Sequence, residues 1–263
     1  MRHSSSALSA RDRVLLVVAV VVAAALTVGA RTALGWGGSP AGATGYPPLP
    51  EDARHVRVNQ VVQTHLTGPH AFMHVDAHGV PVRYDPCRPV HYVVNPAGGP
   101  PGSVDLVRGA VAVISAATGL AFVDDGTTSE PVSEHREPVQ RDRYGDRWAP
   151  VLVGFAKRGT FAGLTGQVAG LGGSYELTTD AGARLVSGQI TLASDTFDQL
   201  IAAGRAGQAT TIVEHELGHV VGLDHVDDSG QLMYRSNKGQ VNLGPGDVEG
   251  LAIAGSGPCL RDT

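Results

Sequence analysis

From about residue 90 onwards, apolar positions fall into two kinds of pattern. Short runs rich in β-branched residues predict five strands, at residues 91–95, 120–125, 149–156, 175–179 and 187–194. Longer stretches repeat apolar residues every three to four positions and predict helices at 100–119 and 208–221. This order of elements predicts an α+β or three-layer domain built on a mixed sheet.

Local signals refine several of these elements. Ser103 is the expected N-cap of the first helix, and Gly119 its expected end. The run FAGLTGQVAGLGGS, residues 161–174, is predicted to be irregular because glycine disfavours both helix and strand. The polar stretch 126–148 carries carboxylates that suit calcium, but a solvated loop is the favoured interpretation.

The amino-terminal end has the pattern of an export segment. Residues 1–13 are a basic flank, residues 14–30 are apolar, and residues 31–51 form a linker rich in Gly and Pro. Seventeen residues are the lower limit for crossing a hydrocarbon core of about 30 Å, so a signal anchor and a cleaved signal peptide both stay open. In either case the rest of the chain is expected outside the cytoplasm, and the membrane is a partner only if the segment is uncleaved.

Between the linker and the main domain, residues 52–89 are predicted to be an N-terminal extension, followed by a domain over residues 90–263. Residues 72–84 predict a hairpin around an Asp-Ala-His-Gly turn. The extension also holds four histidines whose spacings do not fall on one helix: His65, His70, His74 and His78. Ordinary surface histidines are therefore favoured over a metal site.

Composition and charge exclude one class of partner. The formal net charge is -5, and the 20 Lys and Arg residues are scattered along the chain. Nucleic acid needs a basic stripe, so it is not an expected partner. A hydrophobic content of 42% is enough for a full core.

The stretch HELGHVVGLDH, residues 215–225, concentrates three of the 11 histidines. On the second predicted helix, His215 and His219 project side by side, one turn apart, and Glu216 points about 100° away around the axis. Glycine can adopt a positive φ, so Gly222 ends the helix and turns the chain back. His225 then becomes the third ligand of one metal ion.

Three imidazoles leave the fourth position of a tetrahedral zinc site open to water, which is typical of catalytic zinc; structural zinc closes all four. Glu216 lies close enough to reach that water without ligating the metal. The alternative is a catalytically inert cell-envelope binding or scaffold protein that keeps zinc for stability. An open position and an intact Glu216 argue against it, because a scaffold needs neither.

At this point the sequence resembles the metzincin zinc endopeptidases. HELGHVVGLDH matches their HExxHxxGxxH pattern, and Met233 stands where their Met-turn is expected. The wording GLDH followed by LMY looks most like the matrixins, and residues 244–255 resemble their closing helix. The resemblance implies a metzincin-like catalytic domain: a mixed, twisted five-stranded sheet with an active-site helix and a C-terminal helix.

The resemblance also implies roles for residues. His215, His219 and His225 are the expected zinc ligands, Glu216 the general base and Met233 the hydrophobic floor under the metal. The implied reaction is hydrolysis of peptide bonds in protein or peptide substrates by a zinc-activated water. An extended substrate is expected to pair with an exposed edge strand, for which 175–179 is the candidate.

Several features depart from the animal matrixins. No PRCGxPD latency motif precedes the domain, and the histidine and aspartate ladder that holds a structural zinc and calcium ions is missing. Calcium is therefore unsupported. Arg235 stands where some metzincins have a metal-binding tyrosine, so a tyrosine ligand is not expected.

The two cysteines of the chain allow two interpretations. An even count in an exported protein favours a disulfide between Cys87 and Cys259. The competing interpretation makes Cys87 a latency thiolate on zinc. The disulfide is favoured because Cys259 would otherwise be left unpaired.

Overall fold

The structure, a computed structural model, describes residues 20–21, 46–179, 182–237 and 239–260. The predicted export segment therefore lies outside the described residues, apart from Val20 and Val21. Within the described part of the chain, none of the helices combines the length and apolar character needed to cross a bilayer.

Five helices and nine strands are present among the described residues. The helices are α1 (Ser103–Thr118), α2 (Arg141–Tyr144), α3 (Ser194–Ala202), α4 (Ala206–Val220) and α5 (Pro245–Ala254). The strands are β1 (Val20–Val21), β2 (Ala71–Phe72), β3 (Val90–Val94), β4 (Phe122–Thr127), β5 (Val151–Ala156), β6 (Gly170–Thr179), β7 (Gly182–Ala193), β8 (Leu223–Asp224) and β9 (Ser236–Asn237).

The main sheet has five strands in the order β4-β3-β5-β7-β6. Neighbouring strands are parallel except for β6, which runs antiparallel to β7 as the second arm of a hairpin. The predicted α+β fold with a mixed five-stranded sheet is therefore confirmed. Strand β6, which contains the predicted edge strand 175–179, lies at one edge of the sheet. Two short antiparallel pairs, β1-β9 and β2-β8, lie outside this sheet.

Helices α1 and α4 pack against each other, and α4 also packs on the sheet. The core between them consists of fully buried aliphatic side chains, for example Ile114 of α1, Ile212 of α4, and Ile190 and Leu192 of β7. Burying each such side chain contributes about 1.5–3 kcal/mol. This core fixes α4 rigidly, and α4 carries the first two predicted metal ligands.

The ends of α1 partly match the sequence prediction. Gly119 does end the helix, with a φ of 69° and its amide bonded to the carbonyl of Ser115. The prediction of Ser103 as the N-cap is wrong. Gly102 takes that position with a φ of 82°, and the Ser103 side chain is buried within the first turn. A glycine that reaches a positive φ without strain allows the chain to enter the helix one residue earlier.

The glycine-rich run 161–174 is irregular only in its first part. Strand β6 begins at Gly170, so the prediction is wrong for the last five residues. Glycine weakens an isolated strand. Here the ladder of hydrogen bonds to β7 and the packing of α4 on one face of β6 override that preference. The glycines allow the backbone and a side chain of α4 to approach.

The polar stretch 126–148 is less solvated than predicted. Glu130 is buried, and its carboxylate accepts hydrogen bonds from Arg136, Gln140 and Tyr144. The guanidinium of Arg136 therefore occupies the position beside the Glu130 carboxylate where a calcium ion would have to bind. Burial alone would raise the pKa of Glu130, but Arg136 and the other donors hold it below its ordinary value.

Residues 52–89, the predicted extension, contain a tight turn and a cysteine that is bonded to the C-terminal part of the chain. A tight turn spans residues 76–80, and the amide of Val82 returns to the carbonyl of His74, as the predicted hairpin requires. Cys87 and Cys259 form a disulfide, with their Cα atoms 5.3 Å apart. The disulfide prediction is confirmed, and the interpretation of Cys87 as a latency thiolate is wrong.

Candidate metal centre

Three imidazoles converge at the carboxyl end of α4. His215 and His219 lie one turn apart on the helix, and His225 follows the short strand β8. The three Nε2 atoms are 3.1 Å (His215 to His225), 3.2 Å (His215 to His219) and 3.2 Å (His219 to His225) from one another. The structure thus brings together the three residues that the sequence predicted as ligands.

The return of the chain depends on Gly222, as predicted. Its φ is 107°, and a Cβ there would lie 3.0 Å from the carbonyl oxygen of Val82. A side chain would therefore meet both backbone strain and a close contact. The turn leads directly into β8, which delivers His225 to the other two imidazoles.

The protonation of these rings favours a cation between them. Nδ1 of His215 lies 2.8 Å from the carbonyl of Leu232, and Nδ1 of His219 lies 2.8 Å from the carbonyl of Leu223. A carbonyl only accepts hydrogen bonds, so each Nδ1 carries the proton and each Nε2 of a neutral ring has a bare lone pair. Without a cation, these lone pairs would face each other at 3.2 Å.

Burial keeps the rings neutral. Desolvation, reinforced by the neighbouring imidazoles, lowers the pKa of His215 to about 3 and that of His225 to about 2. A tetrahedral zinc ion with ligands at about 2.0–2.1 Å places its nitrogens about 3.3 Å apart, close to the spacing observed. Neutral imidazoles with a carbonyl behind them are the usual zinc ligands. The three residues therefore fit zinc in both chemistry and geometry.

Glu216, the predicted general base, is fully buried beside this cluster on α4. Neither carboxylate oxygen has a hydrogen-bond partner within the described residues. Burial raises the pKa of Glu216 to about 8, opposed in part by the nearby backbone amide of Gly172. An unpaired buried carboxylate is costly, and functional sites are where such costs are tolerated.

Two glycines of β6 make room for this carboxylate and its helix. A Cβ on Gly170 would lie 2.7 Å from Oε1 of Glu216, and a Cβ on Gly172 only 2.3 Å from its backbone carbonyl oxygen. Sequence reasoning missed both positions as parts of the site. Their signal was the spacing of two in GLGG, which puts both glycines on one face of a strand.

Met233, the residue that the resemblance proposes as the Met-turn, packs against α4. It is buried, and its Sδ would be 2.6 Å from a Cβ on Gly218 of α4. The turn around Met233 is held by Asp247 of α5, whose carboxylate accepts the amide hydrogens of Leu232, Met233 and Gly244. Sequence reasoning also missed the contact of Asp247 with this turn, because Asp247 lies 14 residues beyond Met233.

The remaining candidate residues do not join the centre. His70 pairs with Glu249 at 3.4 Å, and His74 with Glu176 at 3.5 Å, which fits surface histidines. Arg235 pairs with Asp227 at 2.7 Å. Among the described residues, the other group with metal-ligand spacing contains Cys87 and Cys259, and the disulfide uses both sulfur atoms.

Comparisons with known proteins agree with the motif. Residues 159–253 match the sequence model of the matrixin family, peptidase family M10. None of the curated proteins compared with the chain matches it.

Two solved structures are similar to parts of the chain. One is metalloproteinase-II from Bacteroides fragilis, with 16% identity, a TM-score of 0.34, and coverage of 64% of this chain and 53% of that one. The other is the GM1-bound form of the ECX AB5 holotoxin, with 12% identity, a TM-score of 0.27, and coverage of 54% and 55%. The chain thus spans about half the length of each of these two.

Proposed function

We propose that this chain, a matrixin-like metzincin, is a zinc-dependent endopeptidase that cleaves protein or peptide substrates outside the cytoplasm. One observation carries the proposal: the Nε2 atoms of three imidazoles lie within 3.2 Å of one another, and the unpaired carboxylate of Glu216 is buried beside them. A centre that served only stability would need neither an open coordination position nor a buried base.

His215, His219 and His225 would hold the zinc ion. When bound, zinc supplies a Lewis acid that polarises the scissile carbonyl and makes water a nucleophile near neutral pH. The carbonyls of Leu232 and Leu223 fix the tautomers of the first two rings, so each ring presents Nε2 to the metal.

Glu216 moves the protons. Its carboxylate takes a proton from the attacking water and passes it to the leaving nitrogen of the cleaved bond. The packing of Gly170 and Gly172 against Glu216 restricts where the carboxylate can lie, and this positioning is what a general base needs. Burial raises the pKa of Glu216 above its ordinary value, which makes its carboxylate a stronger proton acceptor.

The substrate is proposed to bind as an extended strand along β6. Beyond β6 the main sheet has no further strand among the described residues, so one edge of β6 is available for pairing. The predicted segment 175–179 belongs to this edge, but the residues beside Glu216 are Gly170 and Gly172. We therefore place the scissile bond opposite the first half of β6.

The proposed location rests on two features. The disulfide fits an oxidising compartment outside the cytoplasm. The apolar segment 14–30 supplies an export signal, and both a secreted and an anchored form remain compatible with it.

The purified protein and a library of quenched fluorescent peptides test the function. We expect cleavage that a zinc chelator abolishes and that one equivalent of zinc restores. A protein that binds zinc but cleaves neither the library nor unfolded casein would favour the zinc-stabilised scaffold and overturn the peptidase proposal.

A further inference from the structure

We propose that the short strand β2 of the N-terminal extension is a positioning element of the metal centre, acting on His219 and His225 through β8. The inference rests on the proposed function only in that the three histidines bind a metal. It gives residues 68–73 a role in metal affinity, although the sequence had placed them before the catalytic domain.

Strand β8 controls two of the three ligands. The carbonyl of Leu223 accepts the Nδ1 proton of His219 at 2.8 Å and so aims Nε2 of that ring. The carboxylate of Asp224 accepts the backbone amide of His225 at 2.7 Å and fixes the residue that follows. Any movement of β8 therefore moves both imidazoles relative to His215.

Strand β8 has only two residues, too few to hold its own position. Its strand partner is β2, with Ala71 opposite Asp224 and Phe72 opposite Leu223. The next amide, that of Met73, donates to the carbonyl of Gly222 at 3.0 Å. The extension thus holds the segment from Gly222 to Asp224 through main-chain hydrogen bonds.

The extension is itself anchored on α5. The amide of Gly68 donates to Oε2 of Glu249 at 2.9 Å. The two backbones touch, because a Cβ on Gly68 would lie 2.6 Å from the nitrogen of Gly246 and one on Gly246 would lie 2.1 Å from the carbonyl oxygen of Pro69. Residues 68–73 therefore lie wedged between α5 and β8.

Helix α5 also holds the turn that orients His215, because Asp247 binds the amides of Leu232 and Met233. One helix is therefore connected to His215 through the Met233 turn and to His219 and His225 through β2. Groups that orient metal ligands in this way typically contribute about 10–100-fold to metal affinity.

Met73→Pro tests the link to Gly222, because proline has no amide hydrogen. Met73→Ala is the matched control, since it removes the half-exposed side chain and keeps the amide. We expect Met73→Pro to weaken zinc binding by about 10–100-fold in competition with a chelator, and Met73→Ala to stay near wild type. The absorption spectrum of the cobalt-substituted protein should shift in Met73→Pro alone, a change that a loss of fold stability by itself does not produce.

A second pair of variants covers the case in which Met73→Pro does not fold. Glu249→Ala releases Gly68 from α5, while the control Glu176→Ala breaks the pair with His74. We expect weaker zinc binding only in Glu249→Ala. Wild-type zinc affinity in Glu249→Ala, or in a folded Met73→Pro, would overturn the inference. Because zinc binding is measured apart from cleavage, a wild type that cleaves peptides would keep the proposed function intact in that case.

Discussion

A methyl group on Gly170 would lie 2.7 Å from Oε1 of Glu216, so β6 passes the proposed base with no room for any side chain. The edge strand and the buried carboxylate form one unit. Gly170 of β6 limits where the carboxylate of Glu216 can lie. In turn, Glu216 of α4 leaves no room for a side chain at positions 170 and 172 of the strand. The proposed substrate strand and proton acceptor are thereby brought together.

Gly170→Ala should displace this carboxylate without touching a metal ligand. We expect zinc content to stay at one per chain, while peptide cleavage falls at least 10-fold because the base is misplaced by about 1 Å. Gly207→Ala is the control, since nothing lies within 4 Å of a Cβ there. Full activity in Gly170→Ala would show that the contact does not position the base.

Glu216→Gln separates binding from turnover. Glutamine keeps the size and removes the base, so we expect a folded protein with about one zinc and cleavage lower by about 10²–10⁴-fold. His219→Ala should lose the metal together with the activity, because two imidazoles bind zinc far less firmly than three. Elemental analysis beside cleavage of a fluorescent peptide measures both effects. Near-normal cleavage by Glu216→Gln would contradict the proposed mechanism.

Gly222→Val should impair assembly of the centre. Valine at a φ of 107° is strained by about 1–3 kcal/mol, and its Cβ would meet the carbonyl of Val82 at 3.0 Å. We expect weaker zinc binding because His225 is displaced. Gly204→Val is the matched control, because its φ is 69° but it lies outside the site with open space around it. Equal zinc affinities in the two variants would count against the account of the turn.

The disulfide should contribute strongly to stability. Cys87 and Cys259 are 172 residues apart, and in the chain-entropy model a loop of this length contributes about 5 kcal/mol. We expect Cys87→Ser/Cys259→Ser to unfold at a markedly lower urea concentration, and the denatured, unreduced wild type to show no free thiol. Two reactive thiols in the wild type would contradict the bridge.

Glu130 should make stability sensitive to acid. Its pKa is held below the ordinary value, mainly by Arg136, so its carboxylate stabilises the fold above about pH 4.3, the usual pKa of a glutamate. That contribution is lost as pH falls through the lowered pKa. We expect the difference in unfolding free energy between wild type and Glu130→Gln to shrink from pH 6 to pH 3, as followed by urea titration. A constant difference across this range would exclude the link.

The sequence by itself determined the candidate metal site of this protein. The spacing of His215, His219 and His225 follows from helix geometry and one glycine turn, both of which are local, and so local residues were sufficient to predict them. The order of the five strands of the main sheet with α1 and α4 likewise followed from apolar periodicity, and the disulfide from an even cysteine count in a chain predicted to be exported.

Only the tertiary structure decided what surrounds that chemistry. Gly170 looked like a residue that breaks regular structure, and it became a strand residue because β7 pairs with it and Glu216 needs the space of its missing side chain. The carboxylate of Asp247 accepts the amides of Leu232 and Met233, and the amide of Met73 donates to the carbonyl of Gly222, in each case from a distant part of the chain. Such contacts depend on which segments the core brings together, and this cannot be inferred from a local pattern. A main-chain hydrogen bond, in addition, does not require a particular side chain, so the sequence does not indicate it.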